Sequence, residues 1–381
     1  MRIQADARAL PLRDATVQCV VTSPPYWGLR DYGTATWEGG DPACSHKGPP
    51  QQSQRSTLVG NGHGNGKCLS PALQAQAVPY KDVCGNCGAQ RVDAQIGLEP
   101  TPDAYVETLV AVFREVRRVL RDDGTVWLNL GDSYCGGNTG NQSNVGQRYG
   151  KDKTETGHVF RRDGAFASSI GLKPKDLIGI PWRVAFAFQA DGWWLRSDVI
   201  WSKANGLPES VRDRPTRAHE HVFLLTKSAT YYYDADAIRE PSVELAREQT
   251  DRRRAMRMNR GVIAVPGGGQ TSKGVDGGED PTHTMRTHPN GVNKRSVWHL
   301  PTQPYRGAHF AVMPEKLVEP CILAGTRPGD LVLDPFCGSG TVMRVAYRYG
   351  RRGVGCDLNE TYLDMAGQRT RVTLGLPLEA V

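Results

Sequence analysis

The chain has 381 residues and a formal net charge of +7 at pH 7. Its length allows one large domain with an insertion or a small second domain, and the modest basic excess is compatible with a polyanionic partner. The longest apolar runs are only strand-sized and the first residues predict a strand, so we expect no membrane span, no signal peptide and a cytoplasmic location. The nine cysteines are scattered, which argues against a disulfide framework.

An apolar run at residues 17–21 predicts a buried strand of a parallel sheet, and the segment TSPPYWG, residues 22–28, follows it. Pro24 and Pro25 cannot continue a strand, so the chain leaves the sheet at a carboxyl edge, where open α/β sheets bind ligands. The Ser23 hydroxyl and the Pro24 carbonyl then offer two acceptors beside the Tyr26 ring. Such a site suits an exocyclic amine on a planar base. Taken alone, the segment is better explained as a strand-terminating turn.

Residues 37–95 are rich in Gly, Pro, Gln and Ser and lack apolar periodicity, so this insertion has no core of its own. It contains two short pairs of metal-ligand residues, Cys44 with His46 and Cys84 with Cys87. Thiolate and imidazole ligands at these spacings suit one tetrahedral Zn²⁺ ion. We expect a structural zinc site made of these four residues, with Cys68 as a substitute ligand. Free thiols on a loop are the alternative.

The sheet continues in residues 96–234. The pattern predicts a helix over 101–120, a turn at 122–124, a strand at 125–130, a helix at 175–187 and strands at 193–201 and 221–225. Asp132 follows a predicted strand and is either a turn residue or part of a pocket. Residues 135–168 are polar and glycine-rich, so they predict a mobile loop. Residues 1–36 and 96–234 are the first and middle parts of one α/β core.

Arginine clusters between residues 235 and 297, where the apolar pattern fades. Arginines contact phosphates and read guanine bidentately, so we assign this segment to target recognition on DNA. A solvated basic helix followed by a glycine-rich loop is the alternative. The candidate DNA-binding residues are Arg252, Arg253, Arg254 and Arg257, together with Arg30 in the loop after Gly28.

The last part of the core, residues 298–381, contains a strand that runs into the glycine-rich segment DPFCGSGT, residues 334–341. A helix and a second strand follow, and this strand ends at Asp357. Glycines let backbone N–H groups approach a ligand, and an acid about 20 residues further on suits ribose hydroxyls. A dinucleotide site would need a small residue where Met343 lies, so NAD is the weaker candidate.

Together, Ser23-Pro24-Pro25-Tyr26 and the segment from Asp334 to Thr341 strongly resemble the two signatures of the DNA amino-methyltransferases that use S-adenosylmethionine. The amine motif precedes the cofactor motif, as in the permuted β group, whose target-recognition region lies between them. The resemblance implies a doubly wound, mostly parallel α/β sheet of about seven strands and a base flipped out of double-stranded DNA. It also implies a prokaryotic or phage-encoded protein, with a restriction endonuclease as a candidate partner.

The resemblance also implies roles for single residues. Ser23, Pro24, Pro25 and Tyr26 would be catalytic. The cofactor would be bound by Asp6 at its adenine, by Phe310 at its methionine part, and by Asp334, Phe336, Gly338, Ser339, Gly340, Thr341 and Asp357. A simple helix cap is the alternative for Asp6.

The target base is the last question that the sequence addresses. In the resembling family, Ser at the first motif position accompanies cytosine more often than adenine, so Ser23 favours N4 of cytosine over N6 of adenine. Two other hypotheses are a DNA-binding zinc protein with an inactive methyltransferase-like domain and an enzyme that methylates an amide in protein. The basic middle segment and Ser23 in place of Asn disfavour the latter.

Overall fold

The computed structural model describes residues 1–28, 34–46, 83–135, 171–206, 208–241, 288, 290–303 and 312–373. The strands in these ranges are β1 Arg2–Gln4, β2 Val17–Thr22, β3 Thr36–Glu38, β4 Gln90–Val92, β5 Leu120–Leu130, β6 Trp194–Ser202, β7 His219–Thr226, β8 Val297–His299, β9 Leu331–Asp334 and β10 Arg352–Asp357. The helices are α1 Pro102–Val119, α2 Ile180–Ala190, α3 Glu315–Gly325, α4 Thr341–Arg348 and α5 Glu360–Thr373, with a short 3-10 helix at Asp236–Ile238.

Eight of these strands form one sheet in the order β1-β10-β9-β2-β5-β7-β6-β8. Strand β7 is antiparallel to both of its neighbours, and the other pairs are parallel. This arrangement confirms the doubly wound, mostly parallel α/β fold. The predicted number of about seven strands is low by one, because the three-residue β8 adds to the edge beside β6.

The direction of β7 decides which residues meet at the functional edge of the sheet. In a parallel sheet the carboxyl ends of the strands share one edge, where ligands bind near the point at which the strand order reverses. Here that point lies between β9 and β2. After β9 the chain continues to β10 on one side, and after β2 it continues toward β5 on the other side. Since β7 runs the other way, its amino end lies at the same edge.

The core has two parts, one on each face of the sheet. Successive strand residues point to opposite faces, so Val20 of β2 packs with α1 and α2, whereas Cys19 and Val21 pack with α3 and α4. All six residues of β2 are buried, as expected of a central strand covered on both sides. The free thiol of Cys321 in α3 belongs to this apolar interior.

Two element boundaries differ from the sequence prediction. The predicted turn at 122–124 lies within β5, whose register against β2 moves from Val17 opposite Leu120 to Cys19 opposite Thr125. A bulge therefore absorbs the extra residues, and the strand does not break. The helix predicted from residue 175 begins at Ile180, since Lys175 and Gly179 have φ angles of 73° and 78°, outside the right-handed helical region.

Helices α1 and α2 have clear N-terminal signals. Thr101 Oγ1 accepts a hydrogen bond from Ala104 N, and Pro102 occupies the first turn of α1, where its missing N–H costs nothing. The Asp132 carboxylate accepts from the N–H groups of Gly179 and Ile180 at 3.0 and 3.1 Å and so caps α2. None of the helices in the described part of the chain has the length and apolar character needed to cross a bilayer.

Candidate active site

A cavity of about 850 Å³ opens at the functional edge of the sheet. Its size is in the range of small-molecule sites. The motif after β2 and the glycine-rich segment after β9 both line it, which places the predicted amine site and the predicted cofactor site in one space. The lining residues among the predicted set are Asp6, Ser23, Pro24, Pro25, Tyr26, Asp334, Phe336, Gly338, Ser339, Thr341 and Asp357.

The loop after β2 is fixed from several sides. The Tyr105 hydroxyl donates to the Pro25 carbonyl at 2.8 Å, and the buried Trp27 donates its Nε1–H to the Glu99 carbonyl at 2.8 Å. Gly28 has a φ of 63°, a conformation that favours glycine, and its N–H donates to Gly97 O at 2.7 Å. The prolines therefore end the strand, and these bonds hold the turn that follows.

Tyr26 lies at the centre of a hydrogen-bond network. Its hydroxyl donates to Glu220 Oε2 at 2.7 Å and accepts from Asn129 Nδ2 at 2.9 Å and from Ser23 Oγ at 3.3 Å. Burial raises the pKa of Tyr26 well above its usual value of 10, and the Glu220 carboxylate raises it further. The phenol therefore stays protonated at neutral pH. Lys203 Nζ forms an ion pair with Glu220 Oε1.

The Tyr26 ring has little freedom to move. A Cβ atom built on Gly131 would lie 2.6 Å from Tyr26 Cε2, so only glycine allows the ring to lie against the end of β5. A Cβ on Gly97 would lie 3.1 Å from Tyr26 O. The backbone at Gly97 and at Gly131 thus approaches Tyr26 closely, and the ring presents a fixed surface to the cavity.

Two acids organise the glycine-rich side of the cavity. Asp334 Oδ1 accepts from Thr22 Oγ1 at 2.7 Å and from Phe336 N at 3.1 Å, and burial raises the pKa of Asp334 to about 7. Asp357 Oδ2 accepts from Gly338 N and Oδ1 accepts from Asn359 N, each at 2.9 Å. Burial also raises the pKa of Asp357. Each Asp357 oxygen has a further lone pair for a ligand.

The rest of the glycine-rich segment contacts α5. Arg369 Nη1 donates to Ser339 Oγ at 2.7 Å, to Ser339 O at 3.0 Å and to Thr341 Oγ1 at 3.1 Å. Gly340 does not line the cavity. Its φ is 77°, and a Cβ atom there would lie 2.7 Å from Ala366 Cβ. Glycine at this position therefore allows the segment to pack closely against α5.

Asp6 follows β1, the strand that pairs with β10, and lines the same cavity. It pairs with Arg8, whose Nη2 lies 2.5 Å from Asp6 Oδ2. Partial burial raises the pKa of Asp6, but the hydrogen bonds from the Arg8 side chain and backbone outweigh it and the net pKa is lowered. Asp6 is therefore an ionised acceptor at neutral pH. Arg8 also donates to the Ala94 carbonyl at 3.2 Å and so links this part of the cavity to the insertion.

The four predicted metal ligands converge on one point. The ligand atoms of Cys44, His46, Cys84 and Cys87 all lie within 4.8 Å of one another. Cys44 Sγ is 3.7 Å from Cys84 Sγ, and Cys87 Sγ is 3.5 Å from His46 Nδ1. The antiparallel pair β3 and β4 brings the two halves of the cluster together, and Trp37 stacks on His46 with ring centroids 4.6 Å apart.

Several predicted residues lie outside the described residues: Arg30, Cys68, Arg252, Arg253, Arg254, Arg257 and Phe310. Most of the predicted recognition segment and of the loop at 135–168 also lies there.

The polar residues of the cavity that were not among the predicted site residues include Asn129, Lys203 and Glu220. Asn129 had a visible signal, because it is a polar residue in an otherwise apolar strand end. Glu220 had none, because its place at the functional edge depends on the direction of β7. Asp132 was left open between a turn residue and a pocket residue, and it is both a cavity residue and the cap of α2.

The described residues form an α/β fold in which the Ser23–Tyr26 motif and the glycine-rich segment line one cavity. Residues 17–368 match the N6/N4 methyltransferase family model, which is described as DNA methylase. Type II methyltransferase M.Cfr9I of Citrobacter freundii is 39% identical over 364 residues, which cover 95% of this chain and 83% of the relative. Type II methyltransferase M.SmaI of Serratia marcescens is 38% identical over 351 residues, which cover 92% of this chain and 83% of the relative.

Among solved structures, the PvuII DNA methyltransferase (cytosine-N4-specific) matches with a TM-score of 0.50 and 15% identity, over 100% of this chain and 95% of that chain. This likeness supports the fold. The match to the family model extends over most of the chain, and the chain therefore belongs to the S-adenosylmethionine-dependent DNA amino-methyltransferases. The resemblance drawn from its two motifs is confirmed.

Proposed function

We propose that this protein is a type II modification methyltransferase that methylates N4 of cytosine in double-stranded DNA after flipping the base out of the helix. The observation that carries the proposal is the shared cavity, which Ser23 and Tyr26 line together with Asp334, Gly338 and Asp357. The relatives named type II methyltransferases support the modification role. A restriction endonuclease of the same specificity is the partner that such a role implies.

The amine side of the cavity would activate a weak nucleophile. An exocyclic amine is conjugated with its ring, so its lone pair must be localised on nitrogen before it can attack. The Tyr26 ring would stack on the base, while Ser23 Oγ and Pro24 O accept the two amine hydrogens. These acceptors concentrate the lone pair on the amine nitrogen, and Pro25 fixes their directions.

The glycine-rich side fits S-adenosylmethionine, which supplies an electrophilic methyl group on a sulfonium. A Cβ atom built on Gly338 would meet no atom within 4 Å, so space for a ligand lies beside it. Asp357 would accept from the ribose hydroxyls and Asp6 would contact the adenine. Asp334, Phe336, Ser339, Gly340 and Thr341 would shape the segment between them, and Phe310 would contact the methionine part.

One feature supports cytosine over adenine. Ser23 stands at the motif position where the resembling family more often has Ser for cytosine. For contacts with the DNA backbone we propose the arginines at 30, 252, 253, 254 and 257 and the recognition segment 235–297.

We also propose that the insertion at residues 37–95 holds one structural Zn²⁺ ion. With Zn–S bonds of about 2.3 Å, tetrahedral geometry separates two sulfur ligands by about 3.8 Å. The separations of 3.7 Å between Cys44 and Cys84 and 3.5 Å between Cys87 and His46 suit this geometry. Three thiols and one imidazole form a set of ligands that zinc prefers.

The target base is tested by nucleoside analysis. DNA from a host that expresses this chain is digested to nucleosides, which are identified by mass, with DNA from a host carrying the empty vector as the control. We expect N4-methylcytosine. Detection of N6-methyladenine alone would replace the cytosine assignment by the adenine one. DNA without either product, from a folded protein that binds S-adenosylmethionine, would refute the proposed function.

A further inference from the structure

Glu220 is a buried carboxylate with three donors around it. Its side chain is only 14% exposed. Oε2 accepts from the Tyr26 hydroxyl at 2.7 Å and from Asn129 Nδ2 at 2.9 Å, and Oε1 pairs with Lys203 Nζ. Lys203 itself lies over the Trp201 ring, 4.9 Å from the ring centroid. A charge buried to this extent needs such partners, because an unpaired carboxylate here would be strongly destabilising.

The hydrogen atoms available in this network fix its direction. A carboxylate paired with an ammonium group can only accept, so the hydrogen between Tyr26 and Glu220 is the phenol hydrogen. Asn129 Nδ2 carries two hydrogens, which serve its two contacts at 2.9 Å, with Glu220 and with Tyr26. The oxygen of Tyr26 therefore acts only as an acceptor toward its remaining partners.

The same argument fixes the direction of the Ser23 hydroxyl hydrogen. Its Oγ lies 3.3 Å from the Tyr26 oxygen, and the phenol has no second hydrogen to give. The hydrogen on this contact must therefore be that of the Ser23 hydroxyl. With its own hydrogen directed to Tyr26, Ser23 presents lone pairs to the cavity. This is the orientation that accepts a hydrogen from a target amine.

We propose that Glu220, held in place by Lys203, is a positioning residue that sets the direction of the hydrogen-bond chain and so makes Ser23 an acceptor for the target amine. The inference rests on the proposed role of Ser23. Glu220 does not contact the amine and acts through Tyr26. An amide at position 220 would both donate and accept, so it would leave the direction of the chain undetermined.

The test is a double-mutant cycle of Glu220→Gln and Tyr26→Phe, measured as single-turnover methyl transfer at saturating S-adenosylmethionine. Residues that act through one another give non-additive effects. We expect each single variant to slow the reaction about tenfold, as for loss of one hydrogen bond to a charged group. The double variant should be no slower than the slower single variant by more than about twofold. S-adenosylmethionine affinity should change less than about twofold throughout, because Glu220 lies on the amine side.

Asp191→Asn is a matched control. Asp191 is 15% exposed and also pairs with a cation, Arg114 at 2.5 Å, but it lies at the end of α2 and outside the cavity lining. Its rate should equal that of the wild type. Lys203→Met gives a second route if Glu220→Gln fails to fold. It should slow the wild type several-fold and the Tyr26→Phe variant by less than about twofold.

Multiplicative losses in the double variant would overturn the inference, because Glu220 would then act independently of Tyr26. An unchanged rate in Glu220→Gln would overturn it too. These outcomes differ from failure of the proposed function, in which the wild-type protein itself would form no methylated amine.

Discussion

Replacing Asp357 by alanine should weaken the binding of S-adenosylmethionine by about two orders of magnitude. Asp357 ends β10 at the functional edge, and its two oxygens each accept one backbone N–H at 2.9 Å. Each oxygen keeps a lone pair for one ribose hydroxyl. A hydrogen bond to a charged group contributes about 1.5–3 kcal/mol, so two bonds at the lower value amount to about 3 kcal/mol. At about 1.4 kcal/mol per tenfold change, the Kd should rise about 150-fold.

The assay is isothermal titration calorimetry with S-adenosylmethionine on the purified wild-type and variant proteins. Asp364→Ala is the control, because that side chain is 71% exposed and lies 3.5 Å from Arg2 on the outer side of α5. It should change the Kd by less than about twofold. A melting temperature measured for each variant separates lost binding from lost folding. If Asp357→Ala is folded and its Kd stays within threefold of the wild type, Asp357 does not bind the ribose.

Three further predictions concern other parts of the structure. Metal analysis of the wild-type protein after exhaustive dialysis should find about one zinc ion per chain. The Cys84→Ser variant should hold less than half of that amount, and the Ser45→Ala control should hold the full amount. A low zinc content in the wild-type protein would favour free thiols. The raised pKa of Asp334, about 7, means that the folded protein holds a proton more tightly than the unfolded chain, so the free energy of unfolding should fall as pH rises from about 4 to about 7. Asp334→Asn keeps an oxygen that accepts from Thr22 and should remove this pH dependence of the free energy of unfolding in denaturant titrations. At pH 8 the variant should gain at most about 4 kcal/mol in the free energy of unfolding. If the free energy of unfolding changes equally with pH in both proteins, Asp334 does not cause the dependence. Gly131→Ala should displace the Tyr26 ring and slow methyl transfer at least tenfold with an unchanged Kd for S-adenosylmethionine, and a wild-type rate would show that the ring can move.

The predictable part of the site consists of segments with strong backbone signals. The first signal is a pair of prolines after an apolar run, and the second is a group of glycines followed by an acid at the end of the next strand. Each signal marks the point at which the chain leaves a parallel sheet. Both exits lie at the expected edge, as the positions of Ser23 and Asp357 in one cavity show. The two pairs of predicted metal ligands were also visible in the sequence, since the short spacing within each pair brings its two side chains together.

The unpredicted part depends on pairing between distant segments. The pattern of residues 122–124 favours a turn, but β2 pairs with Leu120 before them and with Thr125 after them, so they form a bulge within β5. Strand β8 has only three residues, too few for an alternating pattern to identify it. Glu220 reaches the cavity because β7 is antiparallel, and nothing in the apolar pattern of residues 219–226 indicates the direction of that strand.

The cluster of Cys44, His46, Cys84 and Cys87 and the Ser23–Tyr26 motif are connected more closely than their separation in sequence suggests. The insertion, residues 37–95, lies between Gly28 and Gly97 in the chain. Thr34, which precedes it, donates from Oγ1 to Asp93 Oδ1 at 3.0 Å. Residues 94–96, which follow directly, line the cavity, and Gly97 O accepts from Gly28 N at 2.7 Å. The β3–β4 hairpin therefore closes a loop that begins and ends beside Tyr26. Because a structural metal ion would bind this hairpin only in its folded form, metal binding would also stabilise the wall of the cavity that the insertion contributes.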